Sequence, residues 1–308
     1  MFQQRPRYRR GLSSFLTIFE LVYHSIVRDV RKMHGNAVIA LGLNMLQVIF
    51  FVLSFYLLFN LLGMRRAAIR GDFMLYIMSG IFLFLTHTKT MGAVSGSEGP
   101  SSAMMKHAPM TTFVSILSAA FGALYIQLLS LFLCLFIYDV LIAPVVIIDM
   151  AGAFMMLILA WFTGVGVGMV VLALTPWFPN FVMMFKTLYQ RANMIASGKM
   201  FVANSLPPFM LNMFDWNPLF HCIDQARGYV FINYFPRNSN WEYPLWVGLV
   251  LLMIGLMGEF YTRRHASLSW QARRQFSLNR HRGRHCALPA GVAGAAVFRC
   301  HFRGKTAF

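Results

Sequence analysis

The sequence predicts an all-α integral membrane protein, and three observations support this prediction. Hydrophobic residues make up 58% of the 308 residues and charged residues only 12%, whereas soluble domains carry about 25% charged residues. The chain contains 30 Phe and 22 Met, more apolar surface than so few charges can cover in water. These residues are also gathered into stretches of about 20, the length that crosses a bilayer. Such a composition excludes a largely disordered chain, because disordered segments are poor in aromatic residues.

Residues 1–36 predict a basic start followed by an interfacial helix. Apolar residues recur at helical spacing from Leu12 to Met33, and polar residues fill the opposite face. This pattern is typical of an amphipathic helix of about six turns. We expect it to lie in the cytoplasmic membrane interface before the first span; the alternative is a soluble helix packed on a partner. No secretory signal peptide is indicated, because no short apolar core with a small-residue cleavage site follows the basic start.

Six stretches predict membrane spans in a transmembrane domain of residues 37–261. Their bounds are 37–59, 73–88, 113–138, 150–174, 181–204 and 243–261. The fourth contains Gly164, Gly166 and Gly168 without a preceding strand, which favours helix packing by small residues over a nucleotide-binding loop. Residues 206–243 are rich in Pro and aromatic residues, and they predict short re-entrant or interfacial helices before the last span.

The distribution of Lys and Arg predicts that both termini are cytoplasmic. Residues 1–36 hold seven Lys and Arg residues, the segment after residue 261 holds ten, and the loop 139–149 holds none. In membrane proteins the cytoplasmic segments carry the excess of Lys and Arg. Arg65, Arg66 and Arg70 disagree, since they would lie outside. The net charge of +17 therefore combines this bias with a basic tail, residues 262–308, and we predict no nucleic-acid partner. Beyond residue 275 we expect disorder, from either an out-of-frame extension or an anchor to anionic lipids.

No motif for enzyme chemistry is found in the sequence. It contains no G-x-x-x-x-G-K-[ST] loop to cradle the phosphates of ATP. The four Cys show no C-x-x-C spacing, and the His and Cys residues of the tail fit no standard zinc spacing. Asp215 and Asp224 lie nine residues apart. They could form a carboxylate pair, or each could cap a short helix. We therefore predict a chain that is not an enzyme and binds no cofactor or metal.

The fifth span carries a polar stripe. At about 100° per residue, Lys186, Gln190, Asn193 and Ser197 fall within about 60° of one another, and Arg191 lies off the stripe. Because charges at membrane depth normally face protein or water, these five residues predict a path for an anionic or hydroxyl-rich solute. In the alternative interpretation, Lys186 and Lys199 reach opposite interfaces and the polar residues hold helices together.

The motifs after this stripe resemble those of a known family. Ser197-Gly198-Lys199-Met200-Phe201 is followed by Leu206-Pro207, Asn217-Pro218-Leu219-Phe220-His221 and Arg227-Gly228. This order resembles the ABC-2-type exporter permeases, and among them the capsular polysaccharide export permeases, over residues 13–275. The motif residues are Ser197, Gly198, Asn217, Pro218, His221 and Arg227. Asn-Pro is also a helix start signal.

The resemblance implies a transport subunit of the bacterial inner membrane. Two copies of the chain would join two copies of a separate ATPase, which uses the ATP. The cargo would be a cell-surface polysaccharide or glycolipid, moving through a channel between the two copies. Coupling to the ATPase would fall in the loop 95–110, at Glu98, Lys106, His107 and Pro109. Two other functions stay open: an ABC-2 exporter of a drug or lipid, and a multispanning enzyme acting on lipid-linked sugar.

Overall fold

The computed structural model describes residues 20, 22–28, 37–61, 72–97 and 112–265, and these residues form helices and connections without a strand. Residues 22–28 are helical, while the rest of the predicted interfacial helix and the tail from residue 266 lie outside the described residues. From residue 37 onward the described helices are α1 (Ala37–Leu61), α2 (Phe73–Ser95), α3 (Thr112–Leu141), α4 (Met150–Leu174), α5 (Pro179–Ala196), α6 (Pro208–Phe214), α7 (Pro218–Val230) and α8 (Glu242–His265). A single 3-10 turn, Ala203–Ser205, lies between α5 and α6.

Four of these helices, α1, α3, α4 and α8, are long and apolar enough to cross a membrane. Four candidate spans therefore support the predicted membrane character of the chain. Helix α2 also carries the polar run 86–90, and α5 carries Lys186, Gln190 and Arg191, so their spanning stays a prediction. Helix α5 also ends at Ala196, whereas the predicted fifth span continues to residue 204. The difference has a local cause, because Gly198 takes a left-handed backbone conformation that stops the helix.

Helix α4 lies at the centre of the bundle and packs against α2, α7 and α8. Small residues let these backbones approach closely. A Cβ atom added at Gly164 would lie 2.7 Å from the carbonyl oxygen of His87 on α2. One added at Gly166 would lie 3.1 Å from the carbonyl oxygen of Gly248 on α8. These contacts confirm the interpretation of the α4 glycines as helix-packing positions.

Helices α1 and α5 lie at the edge of the bundle, where a few polar contacts add to the apolar packing of residues such as Val48 and Val182. On α1, the Asn44 amide donates to Gln127 Oε1 at 3.1 Å and to Ser130 Oγ at 2.7 Å on α3. On α5, the Tyr189 hydroxyl lies 3.0 Å from Nε2 of His87. The opposite faces of both helices expose large apolar side chains. Each of the two helices is thus polar toward the bundle at a few points and apolar outside.

Candidate functional site

The motif residues converge on one buried region, which we call the joint: residues 193–201 together with 217–227. It connects the end of α5 to α7. Within it, Gly198 follows the end of α5 and has φ +71°, a conformation that costs residues with a Cβ about 1–2 kcal/mol. A Cβ atom there would also lie 2.5 Å from the ring of Phe220. Glycine is therefore required at this position for two separate reasons.

Asn217 links the two helices of the joint. Its side-chain oxygen accepts from the backbone N–H of Leu219 at 3.1 Å and caps α7, and Pro218 occupies the first turn, as expected of a helix start. The Asn217 amide also donates to Asn193 Oδ1 at 2.7 Å and to the Ala196 carbonyl at 3.1 Å, both on α5. The Asn-Pro motif thus starts one helix and ties it to the end of another.

Arg227 is buried within the joint and stabilises it. Its side chain is 1% exposed and donates to three backbone carbonyls, those of Gly198 at 2.9 Å, Lys199 at 2.7 Å and Phe201 at 2.7 Å. The guanidinium lies 4.1 Å from the ring centroid of Tyr76 on α2. A planar fork of donors suits this geometry, and an ammonium does not reproduce it. Arg227 therefore has a structural role in holding residues 198–201 against α7 and α2.

Asp215 and Asp224 have different partners, so they do not act as one carboxylate pair. Asp224 is buried and accepts from the hydroxyl of Tyr234 and, at 2.7 Å, from that of Ser239. Burial and the neighbouring Asp224 carboxylate raise the pKa of Tyr234, so its hydroxyl stays protonated and donates. Both contacts join α7 to the connection before α8.

His221 anchors the other side of α7. Its Nδ1 accepts from the backbone N–H of Asn240 at 3.1 Å, so in the neutral ring the proton is on Nε2. That nitrogen donates to the Asp215 carbonyl at 2.8 Å and lies 3.1 Å from its carboxylate. The motif residue His221 therefore holds the connections before and after α7. These contacts give it a structural role without any contact to a solute.

Lys199 occupies an aromatic cage and does not reach an interface. Its side chain is 3% exposed, and Nζ lies 3.7 Å from the ring centroid of Phe84, 5.0 Å from that of Phe55 and 5.2 Å from that of Phe51. Aromatic faces attract a cation, but they do not replace a hydrogen-bond acceptor. Among the described residues, Nζ has no such acceptor. The snorkelling interpretation of Lys199 is therefore wrong.

Two hydrogen-bonding groups in one short segment of the joint lack partners. They are Ser197 Oγ and Lys199 Nζ, each buried and without a hydrogen bond to any described residue, whereas the Asn193 amide interacts with the Tyr189 hydroxyl. An unpaired buried donor costs about 1–3 kcal/mol, and native proteins keep few of them. The segment at the end of α5 therefore contains hydrogen-bond donors without acceptors. Such donors can bind the oxygen atoms of a ligand.

The predicted path residues divide between two faces of α5. Asn193 and Ser197 are buried in the joint, and Lys186 and Gln190 are half-buried. The Lys186 ammonium approaches the Gly92 carbonyl of α2 at 3.5 Å. Arg191 is exposed, on the face that also presents Phe and Met side chains. The structure brings two path residues into the motif cluster and leaves Arg191 apart, and their role in transport stays a prediction.

The predicted coupling residues Glu98, Lys106, His107 and Pro109 lie outside the described residues. Two features of the site were not expected from the sequence. One is the phenyl cage, for which the only signal is the spacing of Phe51 and Phe55 by one helical turn. The other is the Asp224–Tyr234–Ser239 contact, whose members show no recognisable pattern along the chain.

The chain was compared with models of known protein families and with curated proteins. No family model matches the chain, and no curated protein matches it.

Proposed function

We propose that this chain is the transmembrane permease subunit of an ATP-driven exporter. It moves a cell-surface, capsular-type polysaccharide or glycolipid across the bacterial inner membrane. It acts as a homodimer with a separate ABC ATPase, which hydrolyses the ATP. The resemblance of residues 197–228 to the ABC-2-type permeases supports this assignment, together with the absence of a nucleotide-binding motif in the chain itself.

The observation that carries the proposal is the unused donors at the end of α5. Ser197 and Lys199 present a hydroxyl and an ammonium that no described residue satisfies. Sugar hydroxyls, carboxylates and phosphates supply the acceptors that such groups bind. The Phe51, Phe55 and Phe84 rings hold the Lys199 ammonium between α1, α2 and the joint. A small movement of α1 away from Lys199 would expose the cation to a passing anionic or hydroxyl-rich chain.

The proposed topology has six spans, with α2 and α5 added to the four apolar helices. Helix α2 has 23 residues and α5 has 18, so at 1.5 Å per residue they extend about 34 Å and 27 Å, near the thickness of a bilayer core. An even number of spans agrees with two cytoplasmic termini. The short helices α6 and α7 are the re-entrant or interfacial segment, and Trp216 beside them is 83% exposed, as suits an aromatic belt.

Replacing Lys199 by Met tests the proposal. Methionine retains an apolar stem in the phenyl cage and removes a buried charge without a hydrogen-bond partner, so the midpoint of thermal unfolding in detergent should stay equal or rise. Export should fall strongly, because the cation is lost. Surface polysaccharide is measured in a host strain that lacks the native gene and carries the variant. Thr187→Ala, an exposed α5 position, is the control.

Two results would overturn this assignment of Lys199. One is normal export by Lys199→Met, and the other is a loss of export that only follows a loss of folded protein. Arg191→Ala extends the test to the exposed face of α5, and normal export by that variant removes Arg191 from the path.

The ATPase partner is tested by purifying the tagged chain from membranes of its native host. We expect an ATPase subunit to co-purify, and Glu98→Ala or His107→Ala to reduce that recovery while the amount of the chain is unchanged. A purified chain that converts lipid-linked sugar without an ATPase would instead establish the enzyme alternative. An ATPase partner with drug or lipid efflux and no polysaccharide phenotype would establish the other exporter.

A further inference from the structure

Helices α3 and α4 are consecutive in the chain but meet at one end only. The Trp161 indole N–H of α4 donates to the Ala120 carbonyl of α3 at 2.9 Å, and its ring lies 5.3 Å from that of Phe121. Toward the connection 142–149, the two helices separate and each packs on α2 or α7 instead. A wedge-shaped opening, the α3–α4 cleft, lies between their separated halves.

The α3–α4 cleft has a volume of about 500 Å³ and apolar walls. Helix α3 supplies Leu131 and Leu135, α4 supplies Ala153 and Leu157, and the floor comes from Met78 of α2 and Val230 of α7. The one hydroxyl among its lining residues belongs to Ser79, which donates to the Tyr76 carbonyl of its own helix at 2.9 Å. A cavity with no free polar partner does not hold ordered water and favours an apolar occupant.

The cleft opens sideways from the bundle. Phe132 of α3 and Phe154 of α4 line it and are 56% and 42% exposed, so they mark its mouth. Both helices are among the four long enough and apolar enough to cross a membrane, so in a bilayer that both of them span, this mouth faces the hydrocarbon core. Along α4 the lining runs from Met150 to Leu157, roughly 10 Å at 1.5 Å per residue, against about 15 Å for one leaflet.

We propose that the α3–α4 cleft binds one hydrocarbon chain of a membrane lipid, aligned with the helix axes. The apolar walls, the lateral mouth and a depth of most of one leaflet all fit such a chain. This inference does not rest on the export function, because it follows from the cleft and the membrane alone. The hydrocarbon chain would contact Ala226 and Val230 of α7, which neighbour Arg227 along that helix.

Photo-crosslinking tests the proposal with the full chain in phospholipid nanodiscs. The probe is a phosphatidylcholine with a diazirine in the middle of one acyl chain, and adducts are mapped by mass spectrometry. We expect adducts to concentrate on the cleft-lining segments of α3 and α4 relative to the equally apolar outer faces of α1 and α8. Ala153→Trp, which fills the cleft, should lower the cleft adducts several-fold. Ala192→Trp on the exposed face of α5 should leave them unchanged.

Leu131→Trp fills the same cleft from the opposite wall, so a loss of fold in Ala153→Trp alone does not decide the outcome. Equal helicity of the variants by circular dichroism is required for the comparison. The proposal is overturned if adducts are no denser in the cleft than on α1 and α8, or if both filling variants leave them unchanged. With a photoreactive amino acid placed instead at Leu131 of the cleft, cross-links to a second copy or to residues 266–308 would overturn the proposal too, since a protein segment would then be the occupant.

Discussion

At three positions of the joint, the structure requires a property that few other amino acids have. Gly198 provides a left-handed backbone against the Phe220 ring. Arg227 reaches three carbonyls at once. Asn217 caps α7 and donates to α5 with the two ends of one amide. These contacts give a physical reason for the motif spacing, because each residue acts on a segment 20 to 30 positions away.

Gly198→Ala should destabilise the fold. The left-handed backbone costs about 1–2 kcal/mol with a Cβ, and the contact with Phe220 adds about 1–3 kcal/mol of overpacking. The matched control is Gly92→Ala in α2, where a Cβ meets no atom within 4 Å, and alanine should be neutral or favourable by up to about 1 kcal/mol. Thermal unfolding in detergent measures both variants, and equal midpoints would contradict the structural role of Gly198.

At the scale of single residues, the sequence identified which positions belong together but not what they touch. The motif resemblance singled out Gly198, Asn217 and Arg227, all of which lie in the joint. The Lys199 cage was missed because its rings come from α1 and α2, more than 100 positions away in the sequence. Side-chain partners that distant leave no periodic signal along the chain.

Among the helices, the close pairing of α4 with α8 depends on glycine. Gly166 of α4 approaches the backbone of Gly248, and a Cβ at Gly248 would lie 2.7 Å from the ring of Phe162. In a membrane, helices associate largely through such packing, since lipid is as apolar as the side chains. The glycines of α4 were predictable as packing positions, but their two different neighbours, α2 and α8, were not.

Gly248→Leu should separate α4 from α8 and lower the midpoint of thermal unfolding, with a loss of about 1–3 kcal/mol or more from overpacking. Gly42→Leu is the control, since Gly42 lies on exposed α1 with no atom within 4 Å of an added Cβ. We expect the control to unfold like the parent chain. A Gly248→Leu variant as stable as this control would show that the α4–α8 approach is not required for the fold.

The whole molecule has more exposed apolar surface than a soluble protein tolerates. The outer faces of α1, α5 and α8 carry exposed Leu, Ile, Phe and Met, and only 17% of the apolar windows of α1 and α8 is buried. Patches of this size mark lipid or a second protein surface. On α5 the exposed side also holds Arg191, which lipid would not favour, so we expect this face to meet the second copy of the proposed homodimer.

Cysteine cross-linking tests that arrangement. Leu188→Cys on the outer face of α5 should give a disulfide between two copies under oxidation, whereas Met253→Cys on the outer face of α8 should not; both positions are exposed. Cys134 and Cys222 are buried, and Cys286 and Cys300 are replaced by Ser beforehand. A dimer band with Met253→Cys and none with Leu188→Cys would place the contact between copies on α8 instead.

The sequence alone determined the helical class, the membrane character, the approximate bounds of α1, α3, α4 and α8, the start but not the end of α2, and the set of motif residues. These depend on composition, on helical periodicity and on local signals such as Asn-Pro, which act within a few residues. Only the tertiary structure decided that Arg227 binds carbonyls and not an acid, that Lys199 lies among three phenyl rings, and that α3 and α4 separate. The reason is that each of these depends on the approach of segments far apart in the chain, where packing and hydrogen-bond geometry choose among arrangements that the local pattern permits equally.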